Sequence, residues 1–153
     1  MKYMTLNVTQ IKSFLTQVDH TFPTPLSQKQ QLSTFAVKLY EKATLCTEVV
    51  NNKIIAMVAG YTEEVIDNKA YISIVATLPE AKGNGLASKL VKEFISICKK
   101  KNLDAVHLYA VPTNRAAMHV YYKLGFIDWK LPDEPRPEDA HLIYYIKKRG
   151  NHR

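Results

Sequence analysis

The chain has 153 residues, 46% of them hydrophobic, which suits one globular domain with a single core and no linker. No apolar run approaches the roughly 20 residues that a membrane span needs, and the first residues lack the apolar core of a signal peptide, so we expect a cytoplasmic protein. Cys46 and Cys98 have neither disulfide nor metal-ligand spacing, and we expect two small buried hydrophobic residues and no metal site.

The charge is strongly basic, with 21 Lys and Arg against 14 Asp and Glu and a net charge of +7. Such a field attracts anionic ligands, either phosphorylated cofactors or nucleic acid. Two basic runs, 99–101 and 147–149, fall at a predicted helix end and near the chain end, where cations are favourable or simply solvated. A nucleic-acid surface would interleave basic and aromatic residues more densely than Tyr144, Tyr145 and Lys147 do, so nucleic acid is the less favoured partner.

Two helices are predicted before the sheet. Residues 9–18 carry apolar side chains at helical spacing, and the prolines Pro23 and Pro25 then interrupt the helix. Ser27 can cap a second helix, whose apolar stripe lies within residues 32–43.

Three strands are predicted next, at residues 45–50, 53–62 and 69–77. Asn51 and Asn52 join the first two, because Asn tolerates the positive φ of a tight hairpin turn. These strands should form an antiparallel meander.

The remaining elements alternate. An amphipathic helix at 85–101 is followed by a strand at 106–111, a helix at 114–124 closed by Gly125, and a strand pair at 126–131 and 142–147. The connection at 132–139 carries three prolines and four acids and should be an exposed loop. This order predicts an α/β (α+β) sandwich, with a mixed, mostly antiparallel sheet of about six to seven strands flanked by helices. We expect one domain over 1–153, with 148–153 as a flexible tail.

A glycine-rich turn lies between the third strand and the third helix. Gly83 and Gly85 immediately precede the helix, whose first turn has unpaired N–H groups and a partial positive charge. Glycine lets a phosphate approach this backbone, although an ordinary tight connection would use the same residues. The dinucleotide fingerprint would need a third small residue at Ser88 and other features that are not met, and no P-loop triplet follows the glycines.

Residues 75–87 resemble motif A of the GNAT superfamily of N-acetyltransferases, whose pattern Arg/Gln-x-x-Gly-x-Gly/Ala falls on Lys82, Gly85 and Ala87. In that family the turn holds the pyrophosphate of coenzyme A, so the resemblance implies acetyl-CoA as co-substrate. Lys82 replaces the usual Arg or Gln, keeping a positive charge but losing the planar fork of Arg. The cofactor-binding residues implied here are Val75, Ala76, Thr77, Lys82, Gly83, Asn84, Gly85, Leu86, Ala87 and Ser88.

Residues 114–126 resemble motif B of the same superfamily, Asn-x-x-Ala-x-x-x-Tyr-x-x-x-Gly-Phe, and every fixed position matches. Taken alone, Asn114 is a helix cap and Tyr121 a core aromatic residue, with Ala117 on the same helix face as Tyr121. The resemblance implies that Asn114 and Ala117 bind coenzyme A and that Tyr121 donates a proton to the leaving thiolate. A phenol with a reference pKa near ~10 suits that task.

The general base is the least defined part of the predicted site. The resemblance assigns the oxyanion to a backbone N–H of Thr77 or Leu78, but the strand leading into motif A carries no acid. We predict deprotonation through water or bulk solvent, assisted by Glu63 or Glu64 at the end of the preceding strand. The other titratable candidates are His107, His119 and His141.

The predicted function is transfer of an acetyl group from acetyl-CoA to the primary amine of a small molecule or peptide, by direct attack in a ternary complex. The alternative is a catalytically silent acyl-CoA-binding regulatory module, supported by the missing strand carboxylate and opposed by Tyr121. The acceptor is expected near residues 22–26 and the loop 133–139, whose acids would suit a cationic amine. Pairing of a C-terminal edge strand would give a homodimer.

Overall fold

Two helices precede the sheet in the structure, a computed structural model that describes residues 6–147. α1 (Val8–Val18) begins with a capping box: the Asn7 side chain accepts from the Gln10 backbone N–H at 2.9 Å, and the Gln10 side chain accepts from the Asn7 backbone N–H at 3.0 Å. These bonds satisfy two of the unpaired amides at the start of the helix. The predicted tail, residues 148–153, lies outside the described part of the chain.

The second helix, α2 (Leu32–Lys42), begins later than its predicted cap. Ser27 lies in a short 3-10 turn, Leu26–Gln28, and bonds Asp19 instead, through its N–H at 2.8 Å and its hydroxyl at 2.6 Å. The prediction that Ser27 caps α2 is therefore wrong, because Asp19 at the end of α1 offers a carboxylate to both donors.

Six strands form one mixed sheet. They are β1 (Thr44–Val50), β2 (Lys53–Ile66), β3 (Lys69–Thr77), β4 (Ala105–Ala110), β5 (Ile127–Asp128) and β6 (Ala140–Tyr145). Their order is β1-β2-β3-β4-β6-β5, and within residues 6–147 only β3 and β4 pair in parallel. This mostly antiparallel sheet confirms the predicted fold class.

The largest differences from the predicted strand boundaries are in β2 and β5. β2 continues to Ile66, four residues past its predicted end, and β5 covers two residues instead of 126–131. The Trp129 N–H still bonds the His141 carbonyl at 2.8 Å, and the proline-rich segment 132–137 follows as a loop. β6 lies between β4 and β5, so the C-terminal strand is not an edge.

Helices cover both faces of the sheet. α3 (Leu86–Lys100) and α4 (Arg115–Leu124) pack on one face, where Phe94 and Leu108 are fully buried. α1 and α2 pack on the other face against β2, where Phe14 is buried. No helix within residues 6–147 is long and apolar enough to span a bilayer.

β3 contains a bulge that reverses which face of the sheet the side chains of its second half point to. Ala59 of β2 pairs with Ile74 and Gly60 with Ile72, so Ser73 is an extra residue on β3. As a result Ile72 faces α3, whereas Ile74, two residues later, faces α1 and α2. The parallel pairing of β3 with β4 ends at Ile72, so the two strands separate beyond the bulge.

Gly60 lies where β2 passes close to β3 on one side and to α3 on the other. A Cβ at this position would lie 2.5 Å from the Tyr71 carbonyl oxygen and 2.6 Å from Cζ of Phe94. We expect Gly60→Ala to lower the free energy of unfolding by about 3 kcal/mol, because a backbone oxygen and a packed ring must both move. Urea unfolding followed by circular dichroism measures this change.

Gly83→Ala is the matched control for this substitution. No atom lies within 4 Å of a Cβ built at Gly83, so only its positive φ is strained, at a cost of about 1 kcal/mol. Equal losses of stability in the two variants would show that close packing at Gly60 does not matter.

Candidate active site

A cavity of about 340 Å³ lies where β3 and β4 separate. The structure brings every predicted cofactor-binding residue except Asn84 to the wall of this cavity, together with Tyr121. Residues that sequence analysis did not assign to the cofactor also line the cavity. They are Thr21, Phe22, Ala81, Ala116 and Val120. Their positions depend on how α1 and α4 meet the strands, and no local motif indicates that packing.

The glycine turn opens this cavity toward the start of α3. Gly83 and Gly85 have φ of +87° and +72°, and a Cβ at either would project into open space. Asn84 closes the turn from within, because its side-chain N–H donates to the Ala81 carbonyl at 3.0 Å. Gly85 provides no capping side chain, so the first amides of α3 remain available to an anion in the cavity. Lys82 lines the same wall and adds a positive charge.

The second half of β3 presents an unpaired edge to the cavity. The Leu78 N–H bonds the Ile55 carbonyl at 2.9 Å, so this amide is not free to meet an oxyanion and that part of the prediction is wrong. Amide directions alternate along a strand, which turns the N–H groups of Val75 and Thr77 toward the side where β4 has separated. Thr77 remains a candidate donor.

α4 places Tyr121 in the cavity. Asn114 caps this helix, accepting from the Ala117 N–H at 3.3 Å, and Gly125 ends it with φ of +111°. The Tyr121 ring is 6% exposed and packs edge-on against Phe126 at 5.9 Å. Burial raises the pKa of Tyr121 to about 12. The phenol is therefore protonated at neutral pH and can act as an acid.

Glu63 and Glu64 line a different cavity, of about 400 Å³, together with Tyr71 and His107. Glu63 pairs with Lys101, just past the end of α3, and the 15 residues of that helix separate Lys101 from the glycine turn by about 22 Å. Glu64 is exposed in an irregular stretch of β2, with φ of +53°. Neither carboxylate lines the cavity that contains Tyr121. Their closeness to β3 in sequence therefore does not place these carboxylates beside Tyr121, the predicted proton donor.

A buried polar network lies on the sheet face opposite α3. His107 and Tyr109 alternate with Leu108 and so point away from α3, toward the loop 129–139 and β6. His141 is only 6% exposed, whereas His119 is exposed on α4. From the sequence, His107 and His141 are only two further titratable candidates among others. Only the pairing of β4 with β6 brings them together, and no local pattern encodes that pairing.

Residues 12–126 match the acetyltransferase (GNAT) family. A mycothiol acetyltransferase of Tsukamurella paurometabola is 40% identical over 55 residues, which are 36% of this chain and 19% of that protein. N-alpha-acetyltransferase 30 of Schizosaccharomyces pombe is 32% identical over 62 residues, which are 40% of this chain and 41% of that protein. The chain therefore spans less than half the length of these curated relatives.

Solved structures share the whole fold. The PaiA N-acetyltransferase of Thermoplasma acidophilum, in complex with coenzyme A, superposes with a TM-score of 0.71 at 16% identity, covering 93% of this chain and 96% of that one. The ribosomal-protein-S18-alanine N-acetyltransferase of Escherichia coli gives a TM-score of 0.70 at 21% identity, covering 100% of this chain and 96% of that one. At these identities the likeness establishes the fold.

Proposed function

Because the chain belongs to the acetyltransferase (GNAT) family, we propose that it transfers an acetyl group from acetyl-CoA to a primary amine. One observation carries the proposal: a single cavity of about 340 Å³ joins the uncapped start of α3 to the buried hydroxyl-bearing ring of Tyr121. A similar fold has been crystallised with coenzyme A, which supports the choice of co-substrate.

The residues of the cavity suit the parts of acetyl-CoA. The pyrophosphate needs an anion site without side chains in the way, which the turn at Gly83 and Gly85 and the first amides of α3 offer. The extended pantetheine arm needs unpaired backbone groups, which the free edge of β3 offers between Ser73 and Thr77. Ala117 leaves room beside α4 for the arm to lie close.

Direct attack within a ternary complex is the proposed mechanism. Acetyl-CoA supplies the thioester, and the neutral amine attacks its carbonyl carbon, so that a C–N bond forms and the C–S bond breaks. Tyr121 gives its phenolic proton to the departing sulfur, while the amine loses one proton. The N–H of Thr77 is the proposed donor to the carbonyl oxygen.

The acceptor is a small molecule or a peptide bearing a primary amine. Phe22 already lines the cavity beside Tyr121, which supports the expectation that residues 22–26 contact the acceptor. The named relatives include both a mycothiol and an N-alpha acetyltransferase, so they support either class. The free, buried Cys46 and Cys98 support a cytoplasmic location, where thiols stay reduced.

A regulatory module that binds acetyl-CoA without transferring its acetyl group is the second candidate. It is favoured by one observation: among the described residues that line the 340 Å³ cavity, none is an acid. This module would bind acetyl-CoA and release no thiol with any amine.

Two measurements on the whole chain test the proposal. Isothermal titration with acetyl-CoA should show micromolar binding, and a free-thiol assay should then show thiol release that depends on an added amine. The panel contains polyamines, amino sugars, amino acids and short peptides. Binding without release across the panel would favour the regulatory module, and failure to bind acetyl-CoA would refute both candidates.

A further inference from the structure

Glu134, His141 and His107 form a continuous chain of hydrogen bonds. Oε2 of Glu134 lies 2.8 Å from Nδ1 of His141, and Nε2 of His141 lies 2.8 Å from Nδ1 of His107. Tyr109 bonds the other oxygen of Glu134 and stacks on the His141 ring at 4.0 Å. The side chains of His141 and Glu134 are 3% and 15% exposed, so this series of hydrogen bonds is shielded from water.

The charge on Glu134 fixes where the protons lie. Burial acts to raise the pKa of Glu134, but hydrogen bonds from Tyr109 and His141 hold it below its usual value, so the group is a carboxylate. A carboxylate only accepts, and Nδ1 of His141 therefore carries the proton. In neutral His141, Nε2 then accepts from the Nδ1–H of His107. This leaves Nε2 of His107 as an acceptor, and it makes no hydrogen bond within residues 6–147.

His107, at the end of this hydrogen-bonded series, lines a second cavity. This cavity of about 400 Å³ is lined in part by Tyr71, His107 and Tyr109, and the carboxylates of Glu63 and Glu64 line it as well. His107 pairs with Tyr71 one step before the parallel ladder of β3 and β4 ends at Ile72 and Leu108. The 340 Å³ cavity begins past that point, at Val75. The two cavities therefore lie on either side of the place where the strands separate.

We propose that Glu134, His141 and His107 form a relay that takes the proton from the acceptor amine bound in the 400 Å³ cavity. The inference rests on the proposed transfer function and adds its missing base. The amine proton goes to Nε2 of His107, and the Nδ1 proton of His107 passes to Nε2 of His141. His107 is neutral before and after, and His141 becomes an imidazolium that donates to Glu134.

The surroundings favour the charge on His141 over His107. Burial, together with the nearby His141 and Lys69, lowers the pKa of His107 to about 4, so His107 does not retain a proton at neutral pH. His141 has the Glu134 carboxylate beside it, and an adjacent opposite charge stabilises an imidazolium. His107 passes the proton on, and His141 with Glu134 holds it.

The other charged or titratable groups around the relay come from three elements. Arg136 lies over the Tyr109 ring at 4.6 Å, but its guanidinium already pairs with Asp139 at 3.1 Å. Arg136 also donates to the Tyr71 hydroxyl at 3.4 Å. The Lys69 ammonium lies 5.9 Å from the Trp129 ring, which itself packs edge-on against His107. Arg136 and Lys69 are cations that donate rather than accept. Glu63 and Glu64 line the same cavity, but both are exposed on β2, Glu63 pairs with Lys101, and neither is hydrogen-bonded to the relay.

Histidine tautomers test the relay without any substrate. In the full chain labelled with ¹⁵N-histidine, NMR should find His107 and His141 both protonated on Nδ1 near neutral pH. Glu134→Ala removes the acceptor of the His141 Nδ1–H, so in this variant the His141 proton should redistribute toward Nε2 and the Nδ1–H of His107 should lose its partner. Glu134→Gln keeps a side-chain oxygen that can accept, so it should retain the wild-type tautomers.

Glu48→Gln is the matched control, because Glu48 pairs with Lys89 on the surface of α3, away from the relay. It should leave the tautomers of both histidines unchanged. A proton on Nε2 of either histidine in the wild type at neutral pH, or unchanged tautomers in Glu134→Ala, would overturn the relay.

Kinetics then test its role in transfer. With the amine that gives the fastest thiol release, Glu134→Gln should lower kcat about 100-fold at neutral pH, with the KM for acetyl-CoA unchanged. The deficit should shrink at alkaline pH, where solvent deprotonates the amine. Equal rates for wild type and Glu134→Gln at every pH would refute the relay alone. Thiol release from no amine in the wild type would refute the transfer function, and the relay's role with it.

Discussion

Replacing Tyr121 by Phe should lower the rate of acetyl transfer by roughly 100-fold or more while leaving the affinity for acetyl-CoA within about twofold. The substitution removes one hydroxyl from a ring that is 6% exposed and keeps the packing against Phe126. Because the pKa of Tyr121 is raised to about 12, wild-type Tyr121 stays protonated through the usual assay range. Any fall in rate between neutral pH and about pH 10 must therefore come from another group.

Tyr122→Phe is the matched control for this experiment. Tyr122 is the next residue of α4, but it is 45% exposed and its hydroxyl bonds Asp128 at 2.6 Å outside the cavity. Free-thiol release gives kcat for each variant, and isothermal titration gives Kd for acetyl-CoA. An unchanged kcat in Tyr121→Phe would remove the phenol from the mechanism. An equal loss in both variants would indicate a disturbed helix.

Replacing Gly85 by Asp should weaken acetyl-CoA binding roughly 30-fold at moderate salt. Two unit charges about 5 Å apart at an effective dielectric constant of 20 repel by about 3 kcal/mol, and screening reduces this to about 2 kcal/mol. The fold should survive, because Asp tolerates positive φ better than most residues and is a good N-cap. Gly85 has φ of +72° and is the N-cap of α3.

Gly85→Asn separates charge from shape. Asn has the size of Asp, adopts positive φ as readily and caps helices equally well, but it is neutral. Gly85→Asn should weaken acetyl-CoA binding only a few-fold. The ratio of the Kd values of the two variants should fall toward one as the salt concentration rises. Equal Kd values for the Asp and Asn variants at low salt would show that no phosphate lies at the start of α3.

Local patterns in the sequence predicted the helices, the strands in their order along the chain and the residues of the glycine turn. The turn at Gly83 and Gly85 and the helix from Asn114 to Gly125 are defined by residues close together in the chain, so spacing alone indicates them. The same holds for the hairpin at Asn51 and Asn52.

Contacts between distant segments could not be predicted in this way. His107 and His141 are 34 residues apart in sequence and meet only because β6 inserts between β4 and β5. Glu63 was predicted because it precedes β3 in sequence. The antiparallel pairing of β2 and β3 puts it at the end of β3 where Tyr71 and His107 line the 400 Å³ cavity, away from Thr77. The general base was thus the part of the site that depended most on topology.

The bulge residue Ser73 makes the exact number of residues in β3 important for the site, because it sets which side chains face each side of the sheet. Ser73 lets Ile72 face α3 while Ile74, two residues later, faces α1 and α2, so a single strand contributes to both hydrophobic cores. Deleting Ser73 would turn the residues from Ile74 to Thr77 over together, since side chains alternate with a period of two. An insertion or deletion in the second half of β3 should therefore disturb a hydrophobic core and the wall of the 340 Å³ cavity together.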